Sequence, residues 1–333
     1  MKNRSVRRTV KNFNALEACL ADVKSLAIAG HVRPDGDCVG SCMAVYNYVR
    51  ENMPQIQVDV YLQEIPESLD FLKGTEDIHH SCEENKTYDA FLALDCGDRE
   101  RLGAAVRYFD SAKKRICVDH HISNTGLGEQ YVIDPAACAT CEILYELLDP
   151  EKMSLAVAEA LYTGLINDCG VFQYSNTTPK TMRIAAKLME KGVPFTRIIE
   201  ESFYQKTYLQ NQILGRALME SMLVCDGQVI VSVIRKKDME FYGVDSRDLE
   251  GIVSQLRNTK GVEVAIFLYE TAIQEYKVSM RSNGAVDVSK IAVYYNGGGH
   301  VKAAGCTMQG SIHDVINNLT GHIARQLDGE RRS

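Results

Sequence analysis

The stretch SLAIAGHVRPDGDCVGS, residues 25–41, decides the fold. Its opening, SLAIAG, is a short apolar run of strand length ending in glycine. Runs of that kind, bounded by turn residues, read as buried strands. The continuation places His31, Asp35 and Asp37 on a turn that also holds Pro34 and Gly36. From Ser41 the segment SCMAVYNYVREN reads as a helix. A buried strand passing through a polar turn into a helix is the start of a βαβ unit. In open parallel sheets, ligands sit beyond the carboxyl ends of the strands.

The same grammar repeats downstream. QVDVYLQ (residues 57–63), YDAFLALD (88–95) and KRICVD (114–119) read as strands, and ERLGAAVRYF as a helix. Strands alternating with helices predict a parallel sheet covered on both faces. MSLAVAEALYTGLIND and PKTMRIAAKLMEKG are helical patterns, the second stopped by Gly192 and Pro194. Helices from about residue 195 to 222 lead to a second unit. That unit reads as strand GQVIVSVI, helix DLEGIVSQLRN, strands VEVAIFLYE and YKVSMRS, helix VSKIAVYY, a glycine-rich loop and a last helix. The expectation is an α/β protein: a doubly wound, mostly parallel sheet over residues 1–192, a helical linker over 193–222, and a smaller α/β domain over 223–333. A cleft between the two domains would hold the substrate.

Composition narrows the function classes. With 45% hydrophobic and 24% charged residues the chain reads as a soluble globular protein able to bury a sizeable core. No run of 18 apolar residues is present, so no membrane-spanning helix is expected. MKNRSVRRTVKNF is basic but leads into no apolar segment, so a frayed basic arm is expected rather than a signal peptide. Eleven cysteines, an odd number scattered through apolar runs, fit free thiols in a reducing cytoplasm. The net charge of −7 comes without a basic stripe, which argues against gripping long duplexes. A phosphorylated substrate would have to be small, or be met by metal ions.

Four segments carry the chemistry. GHVRPDGDCVGS brings His31, Asp35 and Asp37. LALDCGDRERLG ends a strand with Asp95 and offers Asp98. ICVDHHISN ends a strand with Asp119, His120 and His121. GLINDCGVF carries Asp168 between a helix and a glycine turn. Three of these lie at the carboxyl ends of strands in one inferred sheet, hence on one edge, and the set predicts a metal centre. His with Asp suits a borderline divalent ion. Five or more carboxylates around one ion would leave buried negative charge, which is expensive. Two divalent ions would balance the set, and ions roughly 3.5–4 Å apart are a standard device for phosphoester cleavage. A metal-bound His usually donates its other N–H to a carboxylate or carbonyl, so Asp119 and one of the two histidines can stand behind the ligands.

HVRPDGDCVGS, LDCGD, VDHHISN and INDCGVF, in this order, resemble the four motifs of the DHH phosphoesterase family. NGGGHVKAAG (residues 296–305) resembles the signature of the DHH-associated substrate-binding domain. The likeness runs from about residue 25 to 308 and looks most like the nanoRNase branch, oligoribonucleases that also dephosphorylate 3′-phosphoadenosine 5′-phosphate. The resemblance implies two Mn²⁺ ions, with Mg²⁺ or another divalent ion as an alternative. One would take His31, Asp35 and Asp95, and the other Asp37, Asp95, His120 and Asp168. Asp119 and His121 would orient this shell or approach the substrate. Gly297, Gly298, Gly299, His300 and Arg281 match positions that grip the terminal phosphate and nucleotide. Glycine loops admit anions close to backbone N–H groups, and an Arg can clamp a phosphate bidentately. Cys38 departs from the smaller residue many members carry after the second acid.

The expected activity is thus cleavage of very short single-stranded RNA to nucleoside 5′-monophosphates and phosphatase action on 3′-phosphoadenosine 5′-phosphate. Duplex DNA and membranes are not expected partners, and a homodimer follows only from family habit. Rival readings are a phosphodiesterase for linear dinucleotides such as pApA or pGpG, an inorganic pyrophosphatase of related fold, and a catalytically silent nucleotide sensor. Three further segments are read as structural: CATC (138–141) as a core helix face, the His79–His80 pair of IHHSC as a surface loop, and SNTTPKT as a helix cap.

Overall fold

Seven strands build the first sheet of the computed structural model, which describes residues 9–11 and 15–330. They are β1 (Thr9–Lys11), β2 (Ser25–Ala29), β3 (Gln57–Tyr61), β4 (Ile78–His79), β5 (Ala90–Leu94), β6 (Lys114–Asp119) and β7 (Gln130–Ile133), in the spatial order β1-β7-β6-β5-β2-β3-β4. From β7 to β4 every pairing is parallel; β1 alone runs antiparallel, along β7. The expected doubly wound, mostly parallel sheet is what forms. Part of the presumed N-terminal arm, Thr9–Lys11, is therefore an edge strand. Residues 1–8 and 12–14 lie outside the described residues.

Side-chain alternation sorts this sheet into two cores. Leu26, Ile28, Leu92, Leu94, Ile116 and Val118 point to one face, under the helices Gly36–Asn52, Thr140–Leu147, Leu155–Asp168 and Pro179–Glu190. Ala27, Ala29, Phe91, Ala93 and Cys117 point to the other. Small side chains there make room for aromatic rings: Tyr61 and Tyr108 lie 4.6 Å apart and Phe91 and Phe109 5.3 Å. Every residue from Gly36 to Val49 is buried, so this helix is enclosed on all sides rather than amphipathic. It crosses Leu155–Asp168 at Gly40, where an added Cβ would meet Ala160 O at 2.6 Å.

Local capping explains the helix starts. Ser154 and Thr178 accept backbone N–H groups of Val157 and Thr181, and Thr178 with Thr181 completes a capping box. Such caps are each worth about 1 kcal/mol. SNTTPKT is thus the cap it was read as. The helix after β2 begins at Gly36 rather than at Ser41, because Asp35 caps it through Cys38 N–H. Asp37 accordingly sits in the first helical turn, not on an open turn. ERLGAAVRYF is only partly α-helical, with a 3₁₀ stretch Glu100–Ala105 before Val106–Ser111. His79 belongs to the short edge strand β4, not to a loop, and stacks on Tyr61 at 5.1 Å.

The chain divides into two units, residues 1–205 and 206–333. The second holds a six-stranded sheet: β8 (Met222–Val224), β9 (Val229–Ile234), β10 (Val264–Ala272), β11 (Glu275–Ser282), β12 (Gly298–His300) and β13 (Ala303–Gln309), ordered β12-β13-β11-β10-β9-β8. Only β9 and β10 pair in parallel. Tyr276, Val278 and Met280 face the helices Val288–Tyr294 and Ile312–Glu330. Ile230, Ala265 and Phe267 face the helices Tyr208–Met219 and Ile252–Arg257. Ile213 and Ala217, fully buried, anchor Tyr208–Met219 in this second core.

The glycine-rich segment differs from the expected loop. It is the edge strand β12, paired with β13 in the register Gly298↔Gly305, Gly299↔Ala304 and His300↔Ala303, not a loop. Close approach of the two backbones is why glycine stands there. A Cβ on Gly297 would lie 2.2 Å from Gly305 O, and one on Gly299, whose φ is +138°, 2.4 Å from Ala303 O. A Cβ on Gly298 would meet nothing.

Candidate active site

After β2 the chain adds β3 and β4 on one side, then returns to place β5 on the other. The gap beyond β2 and β5 is therefore the point where the sheet order reverses, the favoured ligand position of such folds. His31 leaves β2 and Asp95 leaves β5 at that point. His31 Nε2 lies 3.5 Å from Asp95 Oδ2 and 3.5 Å from Asp35 Oδ2. The other ring nitrogen, Nδ1, stands 2.9 Å from Val32 O. Donation to that carbonyl fixes the proton on Nδ1 and leaves Nε2 as a ligand atom. Asp95 takes a left-handed backbone, φ +52°, and its N–H donates to Val118 O on β6.

The remaining donors close the other side. Asp37 is wholly buried and accepts the N–H groups of Thr140 at 2.6 Å and Cys141 at 3.0 Å. Asp168 ends the helix Leu155–Asp168, and its Oδ2 lies 3.1 Å from His120 Nε2. His120 Nε2 is also 3.5 Å from Asp95 Oδ1. Strand β6 stops at Asp119, so the two histidines are no longer bound to opposite faces; their rings meet edge-on at 4.8 Å. Asp119 is buried behind them, 2.7 Å from His121 Nδ1 and accepting Asn124 Nδ2–H at 2.7 Å.

Three overlapping groups present ligand atoms within 4.8 Å of one another: His31, Asp35 and Asp95; Asp37, His120 and Asp168; and Asp95, His120 and His121. Their electrostatics fit a cation. Burial, followed by the charges of Asp95 and Asp168, raises the Asp37 pKa well above the usual carboxylate range. Burial by itself would lower the His31 pKa, but the Asp35 and Asp95 carboxylates outweigh it and push it up to about 11. Surplus negative charge thus sits between buried oxygens and imidazole nitrogens, the donor mix of a borderline divalent metal. The donor set suits such an ion in residue type and spacing.

In the second unit, the cross-strand register aligns Arg281 of β11, Ala303 of β13 and His300 of β12 in one row. Their side chains share the face opposite Met280 and its core, because neighbours in a row point the same way. His300 and Gly298 are exposed, and Arg281 is half-buried with Nη1 donating to Met280 O. Arg281, His300 and the glycines are thus brought together on one exposed patch of sheet.

Asp98 is not part of the centre: it is exposed and accepts Arg101 N–H, holding a turn. CATC carries no metal group among the described residues. Yet it does more than fill a core. The helix starts at Thr140, so the backbone of this segment holds Asp37, and Thr140 Oγ1 donates to Asp95 Oδ1 at 3.0 Å. Thr140 and Asn124 are the supporting residues that sequence reading passed over. A threonine at a helix start and an asparagine just past DHH were the available signals. All eleven cysteines are free. Among the described residues, no helix is long and apolar enough to cross a membrane.

The fold and this array of donors are those of a hydrolytic phosphoesterase, and the chain belongs to the DHH family. Residues 25–165 match the model of the DHH family, N-terminal domain, and residues 226–327 that of the DHHA1 domain. Within the family it is similar to the bifunctional oligoribonuclease and PAP phosphatase NrnA of Thermus thermophilus, 30% identical over 287 residues, with 85% of this chain and 84% of that one covered. The protein of the same name from Bacillus subtilis is 28% identical, with 84% of this chain and 87% of the relative covered. The crystal structure of an exopolyphosphatase-related protein from Bacteroides fragilis shares the fold. Its TM-score is 0.84 at 22% identity, covering 92% of this chain and 93% of the other. DHH phosphoesterases are metal-dependent, in keeping with the donor groups found here.

Proposed function

We propose that this enzyme degrades very short single-stranded RNA to nucleoside 5′-monophosphates and removes phosphate from 3′-phosphoadenosine 5′-phosphate. The observation that carries the reading is the convergence of His31, Asp35, Asp37, Asp95, His120 and Asp168 at the reversal point of the sheet. The names of the relatives from Thermus thermophilus and Bacillus subtilis supply the substrate classes. In this reading the first unit carries the chemistry and the second holds the substrate. The free thiols favour a reducing, cytoplasmic setting.

Two Mn²⁺ ions would be held, one by His31, Asp35 and Asp95, the other by Asp37, Asp95, His120 and Asp168. When bound, such ions supply Lewis-acid charge and make a water acidic enough to attack phosphorus. The residues do the rest. His31 donates Nδ1–H to Val32 O, which turns Nε2 toward Asp35 and Asp95 as the nitrogen that would bind the ion once its proton is displaced. Asp119 fixes the tautomer of His121 through Nδ1, so that Nε2 is left for substrate or solvent. Arg281 and His300 hold a terminal phosphate, and orientation of that group is itself catalytic.

The test is a panel assay. Purified protein with Mn²⁺ is incubated with a five-nucleotide RNA, a dinucleotide, 3′-phosphoadenosine 5′-phosphate and pyrophosphate. Hydrolysis of the RNA and of the bisphosphate is expected. Turnover of dinucleotides alone would replace the proposal by a dinucleotide-specific phosphodiesterase, and no turnover of any nucleotide would leave a sensor.

A further inference from the structure

Thr140 is fully buried and donates to two carboxylates that belong to different elements. Its Oγ1 gives a hydrogen bond to Asp95 Oδ1 at 3.0 Å, and its backbone N–H gives one to Asp37 Oδ2 at 2.6 Å. Asp95 follows β5, Asp37 lies in the helix after β2, and Thr140 itself opens the helix Thr140–Leu147. Three elements therefore meet at this one residue.

The hydroxyl does something the backbone bond cannot. Asp95 Oδ2 faces His31 at 3.5 Å, whereas Oδ1 faces His120 at 3.5 Å. A carboxylate can rotate about its Cα–Cβ and Cβ–Cγ bonds, and a donor on one oxygen removes that freedom. Since Asp95 belongs to two of the three donor groups, the angle of its carboxylate decides whether both can form at once. We propose that Thr140 is a positioning residue whose hydroxyl sets the orientation of Asp95 and thereby the metal affinity of the centre. The proposal rests on the metal reading given above.

A residue that only filled space would obey a different rule. Valine has the shape of threonine without the hydroxyl; serine has the hydroxyl without the methyl group. Positioning predicts that serine rescues and valine does not, and packing predicts the reverse order.

The experiment titrates Mn²⁺ into the full chain by calorimetry, for wild type, Thr140→Val and Thr140→Ser, with thermal melts of each protein in chelator. Loss of a supporting hydrogen bond commonly costs 10–100-fold in metal affinity, so Thr140→Val should bind Mn²⁺ about tenfold or more weakly and Thr140→Ser within about threefold of wild type. Equal Mn²⁺ affinity in wild type and Thr140→Val, or weaker binding by Thr140→Ser than by Thr140→Val, overturns the proposal. Should Thr140→Val fail to fold in chelator, Thr140→Ala takes its place in the same comparison with serine. A wild-type protein that takes up no Mn²⁺ would defeat the metal reading itself, and the role of Thr140 with it.

Discussion

His31 Nε2 stands 3.5 Å from Asp95 Oδ2, and the two residues leave neighbouring parallel strands at the reversal point of the sheet. Asp95 and His120 are the two residues shared between donor groups, and Asp95 joins the His31–Asp35 group to the His120–His121 group. Asp95→Asn keeps the shape and removes the charge. Since even supporting residues cost 10–100-fold, this substitution should weaken Mn²⁺ binding by at least about a hundredfold and abolish turnover. Calorimetry and the panel assay check it, and turnover retained at wild-type metal concentration would refute the central place of Asp95.

Gly164 offers a test from the helix behind the site. A Cβ there would lie 2.8 Å from Asp37 Oδ1 and 2.3 Å from Cys141 Sγ. Gly164→Ala should therefore destabilise the first unit by about 1–3 kcal/mol, the usual cost of overpacking. It should also weaken metal binding by displacing Asp37. A thermal melt alongside a Mn²⁺ titration separates the two effects. An unchanged melting temperature would mean that the helices part at no cost.

Arg281 and His300 should affect substrate and not metal. A hydrogen bond to a charged group is worth roughly 1.5–3 kcal/mol, so Arg281→Ala or His300→Ala should raise KM by about tenfold or more. Mn²⁺ affinity should stay at the wild-type value. Steady-state kinetics on a five-nucleotide RNA measures the first, calorimetry the second. A fall in kcat at unchanged KM would remove both residues from substrate holding.

The three consecutive glycines at the start of β12, Gly297 just before it and Gly298 and Gly299 within it, should respond unequally. Gly298→Ala meets open space, whereas Gly297→Ala and Gly299→Ala drive a methyl group into the backbone of β13. The first should melt within about 1 kcal/mol of wild type, and the other two should lose about 1–3 kcal/mol or more. Equal melting temperatures for all three would show that the hairpin opens without penalty.

Sequence alone revealed the sheet because its strands are uninterrupted apolar runs ending in acid or histidine. Three such endings fall on one edge of the inferred sheet, and Asp168 joins them from the end of a helix. What stayed hidden has physical causes. Thr140 looked like part of an apolar helix, since nothing local shows that its N–H and hydroxyl reach carboxylates far away in the sequence, one in a helix and one after a strand. β12 looked like a loop, because three glycines have poor strand propensity and close packing against β13 overrides it. β4 and β1 were too short to display a period. Asp98, three residues past Asp95, caps a turn and is in none of the donor groups.

Asp168 is the last residue of its helix and also the last of these donors to be synthesised. Asp35, Asp37 and Asp95 are all made while their final partner does not yet exist. A ribosome-held chain that stops short of residue 168 would thus carry the carboxylates without the complete cage, and should hold Mn²⁺ more weakly than one released beyond it. Residue 168 falls near the middle of the 333-residue sequence, so completion of the donor set belongs to the first unit alone and precedes synthesis of the second.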